Sequence, residues 1–112
     1  MGKSALSLLK GTLDLLILKT VSLEPLHGYE IAKWVKRASG EAFDIDYSAL
    51  YQALLRLEGR GWLTTEWRES PTGREVRFYR LAPEGRRQLT RQTQDWGRYV
   101  EAMDRVLSTT EA

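Results

Sequence analysis

The sequence predicts a mainly α, α+β fold in which three helices, a β-hairpin and a long C-terminal helix follow one another. Three changes in the apolar pattern support this prediction. Apolar residues recur at helical spacing up to about residue 60, alternate with polar ones between Leu63 and Leu81, and return to helical spacing after Pro83. With 112 residues, of which 42% are hydrophobic and 29% charged, the chain suits one folded domain with one modest core.

The first predicted helix runs from Gly11 to about Ser22 and is apolar on two faces. Leu13 and Leu16 follow one face, whereas Leu15 and Leu18 add a second. A helix that is apolar on both sides must be covered on both sides. The second cover comes either from another molecule or from the C-terminal helix of the same chain.

Two further helices follow a break at Pro25. The second is predicted from about Tyr29 to Ser39, with Gly40 as its stop. The third runs from Ser48, as N-cap or first-turn residue, to about Arg60, and Gly61 is expected to end it. Its predicted core face is formed by Leu50, Ala53, Leu54 and Leu57. Its opposite face presents Ser48, Tyr51, Gln52, Leu55 and Arg56.

The hairpin is predicted from a change to a period of two. Leu63, Thr65 and Trp67 alternate with their neighbours, and residues 76–81 alternate again and are rich in β-forming side chains. Pro71-Thr72-Gly73 between them is a turn sequence, and Arg74 and Arg77 are expected to flank it. Three tryptophans are expected in the core or at the root of the hairpin: Trp34, Trp62 and Trp67.

The final helix is predicted from Pro83, whose fixed φ suits a first helical turn, to about Leu107. Leu89, Trp96 and Met103 lie seven residues apart, as in a short heptad seam. The intervening positions are filled either by Gln92, Tyr99 and Val106 or by Thr93, Val100 and Leu107.

The composition excludes several kinds of chemistry. The chain has no cysteine and one histidine, His27, which excludes a disulfide framework, a cysteine nucleophile and a multi-histidine metal site. No nucleotide-binding or metalloprotease motif occurs, so we expect neither an enzyme nor a cofactor. The most apolar stretch, Leu13 to Leu18, is too short to span a membrane, and we expect a cytoplasmic protein.

Three helices followed by a hairpin is the order of a winged helix-turn-helix, in which the third helix enters the major groove of DNA and the hairpin follows the backbone. The charge agrees, because residues 56–91 carry nine arginines against five glutamates. Gln52 suits adenine, Arg56 suits guanine or phosphate, and the hydroxyls of Ser48 and Tyr51 suit phosphate. Alternatively, the arginines only solvate the surface, Tyr51 packs at the helix edge, and Arg56 pairs with Glu58, Glu66 or another surface acid.

Several strings resemble the PadR-like transcriptional regulators. They are Leu9-Lys10-Gly11-Thr12-Leu13-Asp14-Leu15-Leu16-Ile17-Leu18, Pro25-Leu26-His27-Gly28-Tyr29, Ser48-Ala49-Leu50-Tyr51, Arg56-Leu57-Glu58, Gly61-Trp62-Leu63, Phe78-Tyr79-Arg80-Leu81 and Gly85-Arg86. They occur in the family's order over residues 9 to about 91, and the single last helix resembles short members of the family. Three positions depart from it: Gln52 stands where proline is frequent, Glu75 and Val76 make the wing less basic, and Ala82 replaces a capping threonine.

The resemblance implies a homodimeric winged-helix repressor. Two recognition helices related by the dimer predict a pseudo-palindromic operator in double-stranded DNA, and from the composition we expect no metal and no cofactor. The resemblance implies that Tyr29, Ser48 and Tyr51 hold phosphates and that Arg74 and Arg77 contact the backbone beside the wing. The pattern of the third helix adds Gln52 and Arg56 to the predicted DNA contacts. The implied dimer interface is Leu15, Leu18, Leu89, Trp96, Val100, Met103 and Leu107. By analogy with multidrug-responsive relatives, Trp96 also implies a small aromatic effector at the interface.

The predicted organisation is a winged helix-turn-helix DNA-binding domain at residues 1–81 and a C-terminal dimerisation helix at residues 82–112, within one compact unit. Two alternatives to a DNA-binding repressor remain at this point. One is a winged-helix module that binds another protein, and the other is a small-molecule sensor, which is compatible with DNA binding.

Overall fold

The computed structural model describes residues 6–112, so residues 1–5 of the predicted DNA-binding domain lie outside the described part of the chain. The mainly helical α+β class is confirmed. The elements are α1 (Thr12–Leu23), β1 (Leu26–His27), α2 (Gly28–Ala38), α3 (Tyr47–Gly59), β2 (Leu63–Glu69), β3 (Glu75–Leu81) and α4 (Pro83–Leu107).

The ends of α3 are fixed by side-chain and glycine capping. The carboxylate of Asp46, the N-cap, accepts a 3.0 Å hydrogen bond from the Ala49 amide, so Ser48 is a first-turn residue. At the other end the Trp62 amide donates to the Leu57 carbonyl at 3.0 Å, in a Schellman motif that needs the positive φ of Gly61, 78°. The predicted stop at Gly61 is therefore confirmed.

The core lies between α1, α2, α3 and the inner face of the sheet. Ile17 and Leu18 of α1 meet Ile31 of α2 and Leu54 of α3, and all four side chains are fully buried. The prediction that Leu18 contacts a dimer partner is therefore wrong, because its side chain is 0% exposed within one chain. Leu15, on the other face of α1, is only half-buried.

The sheet has three antiparallel strands in the order β1-β3-β2, of which the sequence predicts two. In β1, Leu26 pairs with Tyr79 and His27 with Phe78. The sequence predicts only a turn there, because a two-residue strand shows no alternation and forms through its pairing with β3. The hairpin β2–β3 is confirmed, with Leu63 opposite Leu81.

Helix α4 begins against the turn that follows α3. Its N-cap, Ala82, provides no side-chain cap, but its amide donates to the Trp62 carbonyl at 3.0 Å. A Cβ on Gly85 would lie 2.1 Å from that carbonyl oxygen, so the close approach requires glycine. Leu89 also packs against the core, and most of α4 beyond it is exposed. The radius of gyration, 16.2 Å, accordingly exceeds the ~13 Å of a compact chain of this length.

Candidate nucleic-acid interface

The outer face of α3 carries the side chains that the sequence predicts as a reading surface. Ser48, Gln52 and Arg56 are exposed at four-residue spacing, and Leu55 lies beside them with 63% of its surface exposed. The opposite face of α3 is fully buried in the core. The helix is thus held from behind, and its outer face is free of contacts that would hide it.

Three tyrosines form a cluster at one end of this face. The rings of Tyr29 and Tyr47 stack with their centroids 5.9 Å apart, and Lys33 Nζ lies 5.1 Å from the centroid of the Tyr29 ring. The ring of Tyr51 lies over Gly28, where an added Cβ would approach it to 2.8 Å. Tyr51 is therefore packed at the helix edge and still about half exposed.

Tyr47 is a member of this cluster that sequence reasoning missed. It is the first residue of α3, directly after the N-cap Asp46. The signal was present in the sequence, because Tyr47 precedes Tyr51 by four residues and therefore lies on the same helical side. The cluster gathers three hydroxyl groups and the Lys33 ammonium where α2 and α3 begin.

Arg56 is held by an acid on another helix. Its Nη2 donates a hydrogen bond to Asp14 Oδ1 of α1, and Nη1 of Arg60 lies 3.8 Å from Asp14 Oδ2. Arg56 thus pairs with an acid, but the partner is neither Glu58 nor Glu66 nor another acid on the surface. Asp14 is largely buried, whereas the Arg56 side chain remains 44% exposed. Arg56 therefore links α1 to the outer face of α3.

Arg77 lies in the middle of β3 and does not flank the turn as the sequence suggested. Its Nη2 donates to Glu58 at 2.9 Å and to Thr65 Oγ1 at 3.2 Å. Thr65 Oγ1 in turn lies 3.1 Å from Glu58 Oε2. The guanidinium is thus used to fasten the wing to α3, which corrects its expected place at the tip of the wing. The same sheet face holds Tyr79, whose pKa is raised above its ordinary value by burial.

Two other wing arginines are also paired, and Arg74 is not. On the outer face of the sheet Glu66 accepts from Arg68 Nε at 2.9 Å and from Arg80 Nη2 at 3.0 Å. These hydrogen bonds, first from Arg80 and then from Arg68, lower the pKa of Glu66 below its ordinary value. Within residues 6–112, Arg74 is the hairpin arginine without an ion pair, and it is exposed at the turn.

Trp67 is exposed, contrary to the expectation that it packs at the root of the wing. Its side chain is 65% accessible on β2, in register with Arg77 of β3. Trp34 and Trp62 do pack against the core, as expected. The alternation of β2 correctly predicts that Trp67 shares a face with Leu63, but the core ends before it reaches that end of the strand.

A second surface lies between α1 and α4. A groove of about 960 Å³ is lined mainly by leucines from the N-terminal segment and α1, by Leu89 and Trp96 of α4 and by Phe43. Leu15 lines the same groove, as a residue of the predicted interface would. Further along α4, apolar side chains are exposed on this side of the helix: Trp96, Tyr99, Met103, Val106 and Leu107.

Residues 6–112 lack two features that would indicate another kind of function. In that range there is no group of three or more histidine, cysteine or acidic side chains arranged to hold a metal ion. No helix there has the length and apolar character needed to cross a bilayer.

The model of the PadR-like family of transcriptional regulators matches residues 17–91, from α1 through the wing into α4. The chain belongs to this family. The PadR-like family consists of transcriptional regulators, not enzymes, and membership makes the protein a DNA-binding regulator with a winged-helix fold.

Solved structures of transcriptional regulators share the fold over nearly the whole chain. A PadR family regulator from Clostridium difficile is 27% identical, with a TM-score of 0.77 over 88% of this chain and 100% of that one. A transcriptional regulator from Clostridium thermocellum is 26% identical, with a TM-score of 0.79 over 86% and 90%. A PadR family regulator from Eggerthella lenta is 29% identical, with a TM-score of 0.77 over 90% and 86%.

Proposed function

We propose that this PadR-like protein is a sequence-specific repressor that binds a pseudo-palindromic operator as a homodimer, in the cytoplasm. The observation that carries the proposal is the outer face of α3, which is polar, exposed and bordered by the tyrosine cluster. A dimer would place two such helices in successive major grooves about 34 Å apart.

The roles of the side chains follow from their positions. The hydroxyls of Tyr29, Ser48 and Tyr51 suit phosphate oxygens, which set the register of the protein on the duplex. Gln52 suits a bidentate contact to adenine N6 and N7. Arg74 provides the wing's contact to the backbone, because its charge is not neutralised by a neighbouring acid within the described residues.

Arg56 takes a shared role in this proposal. Its guanidinium has five N–H donors, and the hydrogen bond to Asp14 occupies only part of them. The remaining donors are available to a phosphate or a guanine at the edge of the reading face. Arg77 is not included among the proposed DNA contacts, because its charge is held by Glu58.

The dimer is supported by the apolar side of α4. Met103 and Leu107 are exposed by 42% and 74%, and no other part of residues 6–112 covers them. A second copy packed on this side would bury them together with Trp96 and the α1 side of the groove. Val100 and Leu89, which are half-buried in one chain, continue the same face of α4.

The groove also suits a small aromatic effector. Its volume, about 960 Å³, is at the upper end of the range of ligand sites, and its lining is mostly apolar. Trp96 offers a flat surface on which a planar compound can stack. Such a compound would compete with, or alter, the contact between the two copies.

The proposal is tested by fluorescence anisotropy with a labelled DNA fragment from directly upstream of the protein's own coding region. We expect at least about a hundredfold preference over a random duplex, and an affinity that falls steeply between low and moderate salt. Equal, weak and salt-sensitive binding to both duplexes would argue against it and favour the alternative of a protein-interaction module. Transcription in vitro from the bound promoter then separates a repressor from an activator.

A further inference from the structure

Resting on the proposed function, we infer that Leu55 reads the methyl group of a thymine in the major groove. The half-site then contains a thymine methyl under Leu55 next to the base pair whose adenine Gln52 contacts. The assigned ligand is the C5-methyl group, which no other base presents in unmodified DNA.

Leu55 is an apolar side chain in the middle of a polar face. It is 63% exposed and follows Ser48 and Gln52 at positions i+7 and i+3 on the same side of α3. The three leucines and one alanine of α3 that form part of the core lie on the opposite side and are fully buried: Leu50, Ala53, Leu54 and Leu57. Exposure of Leu55 is therefore set by the geometry of the helix, which turns this position away from the core.

Within residues 6–112, Leu55 belongs neither to the core nor to the groove between α1 and α4. It is absent from the hydrophobic core and from the partly buried residues that pack against it. It also does not line the groove between α1 and α4, where a second copy would pack. Leu55 is therefore expected to contact whatever binds the outer face of α3, which in the proposed function is DNA.

The spacing on α3 matches neighbouring base pairs. Gln52 and Leu55 are three residues apart, which corresponds to about 4.5 Å along a helix axis, against about 3.4 Å between stacked base pairs. A leucine cannot hydrogen-bond a base edge, and over a G·C pair it would cover polar atoms without satisfying them. A thymine methyl offers an apolar contact instead, so Leu55 favours A·T pairs next to the adenine read by Gln52.

The test begins by selecting a consensus from a random duplex library with the full-length protein. Each thymine of the selected operator is then replaced singly by deoxyuridine, which removes only the methyl group, and affinity is measured by anisotropy. For the unmodified protein we expect a loss of about three- to tenfold at one thymine per half-site. Leu55→Ala is expected to bind the thymine operator more weakly by a similar factor and to ignore deoxyuridine at that position.

Leu23→Ala is the matched control, because Leu23 is an exposed leucine (54%) at the end of α1. It should keep the full sensitivity to deoxyuridine. A melting curve of Leu55→Ala separates loss of contact from loss of fold, and an exposed leucine replaced by a strong helix former should melt like the parent.

The outcomes separate this inference from the function on which it rests. If a consensus is selected but contains no thymine, or if Leu55→Ala keeps the parent's response at every thymine, Leu55 does not read the methyl group and the proposed function stands. If selection enriches no sequence, the proposed function fails and this inference fails with it.

Discussion

The arginines of the wing differ in their interactions, and the acid with which each one pairs indicates its role. Arg68 and Arg80 share Glu66, whereas Arg77 bonds to Glu58 and so joins the wing to α3. Arg74 at the turn makes no ion pair within residues 6–112. A wing with several arginines therefore presents little free positive charge to a DNA backbone.

The first prediction contrasts two of these arginines. Arg74→Ala should weaken DNA binding by a similar factor on any sequence, reduce the slope of log affinity against log salt by about one, and leave the melting temperature unchanged. Arg77→Ala should mainly lower stability, by about 1 kcal/mol, because it leaves Glu58 without its cation. Anisotropy titrations at several salt concentrations and thermal melts of both variants measure these effects, and an unchanged salt slope for Arg74→Ala would contradict the assignment.

The second prediction uses the contact between Gly28 and Tyr51. In Gly28→Ala the new Cβ would meet the outer atoms of the Tyr51 ring at 2.8–2.9 Å, and the half-exposed ring can move aside. Stability should change by no more than about 1 kcal/mol, whereas DNA affinity should fall as far as it does in Tyr51→Phe. Gly59→Ala is the control, because a Cβ there meets nothing within 4 Å. Full affinity in Gly28→Ala would show that the position of the Tyr51 hydroxyl is unimportant.

At the level of elements, the outer face of the hairpin depends on one carboxylate. Glu66 of β2 accepts hydrogen bonds from Arg68 in its own strand and from Arg80 in β3. Because these bonds favour the ionised carboxylate, the pKa of Glu66 is lowered from its ordinary 4.5. Its contribution to stability is therefore present above pH 4.5 and is lost as the pH falls through the lowered value.

The third prediction follows from that direction of shift. Glu66→Gln should lower the melting temperature at neutral pH. On acidification to about pH 3, the melting temperature of Glu66→Gln should fall by less than that of the parent protein. Thermal melts at the two pH values measure this difference. Glu24→Gln, which changes an exposed glutamate outside the ion pairs of the described residues, should reproduce the parent's pH dependence. An equal fall in melting temperature in the parent and in Glu66→Gln would show that Glu66 does not contribute to the acid sensitivity of the fold.

The elements that the sequence predicts well are those with a long periodic pattern. Helix α4 runs from Pro83 to Leu107 as expected, and α1, α2 and α3 agree within one residue or so. Strand β1 could not be found, because a two-residue strand has no period and depends on β3 for its hydrogen bonds. The sequence also left Leu18 on the wrong surface, since a helix apolar on both sides does not indicate which face meets its own core.

The candidate site was predictable in its residues and less so in their partners. The outer face of α3 follows from helical spacing alone. The ion pairs of Arg56 with Asp14 and of Arg77 with Glu58 join residues 42 and 19 positions apart, which only the packed fold brings together. Trp67 was misplaced for a related reason, because alternation assigns a side chain to a face of the sheet and does not tell how far the core extends along that face.

The whole molecule is elongated, measuring 62 × 39 × 21 Å, because α4 leaves the compact part after its first turns. Of its 25 residues only Gly85 is buried within one chain. Exposure of an apolar helix side to water along most of its length is unfavourable, and a second molecule that covers this side would remove the cost. This exposed apolar side supports the proposed homodimer.

The fourth prediction concerns this side of α4. Met103→Asp should weaken the dimer by at least about tenfold, since it places a charge in the proposed interface. Arg98→Asp should not, because Arg98 projects from the opposite side of the helix and is 84% exposed. Sedimentation velocity over a range of low micromolar concentrations measures both. In Met103→Asp, affinity for a palindromic DNA site should fall because the dimer is weakened. A Met103→Asp protein that sediments like the parent would place the interface elsewhere.

The short strand β1 has a consequence for how the wing can evolve or be exchanged. It joins the chain between α1 and α2 to β3, with Leu26 opposite Tyr79 and His27 opposite Phe78. The hairpin is therefore attached to the helix-turn-helix by backbone hydrogen bonds in addition to the Arg77–Glu58 ion pair. The amides of β3 should then exchange with deuterium at the rate of the core helices, not at the faster rate of a loose surface hairpin. A wing transplanted from a relative should keep this pairing only if its β3 has the length and register to meet Leu26 and His27.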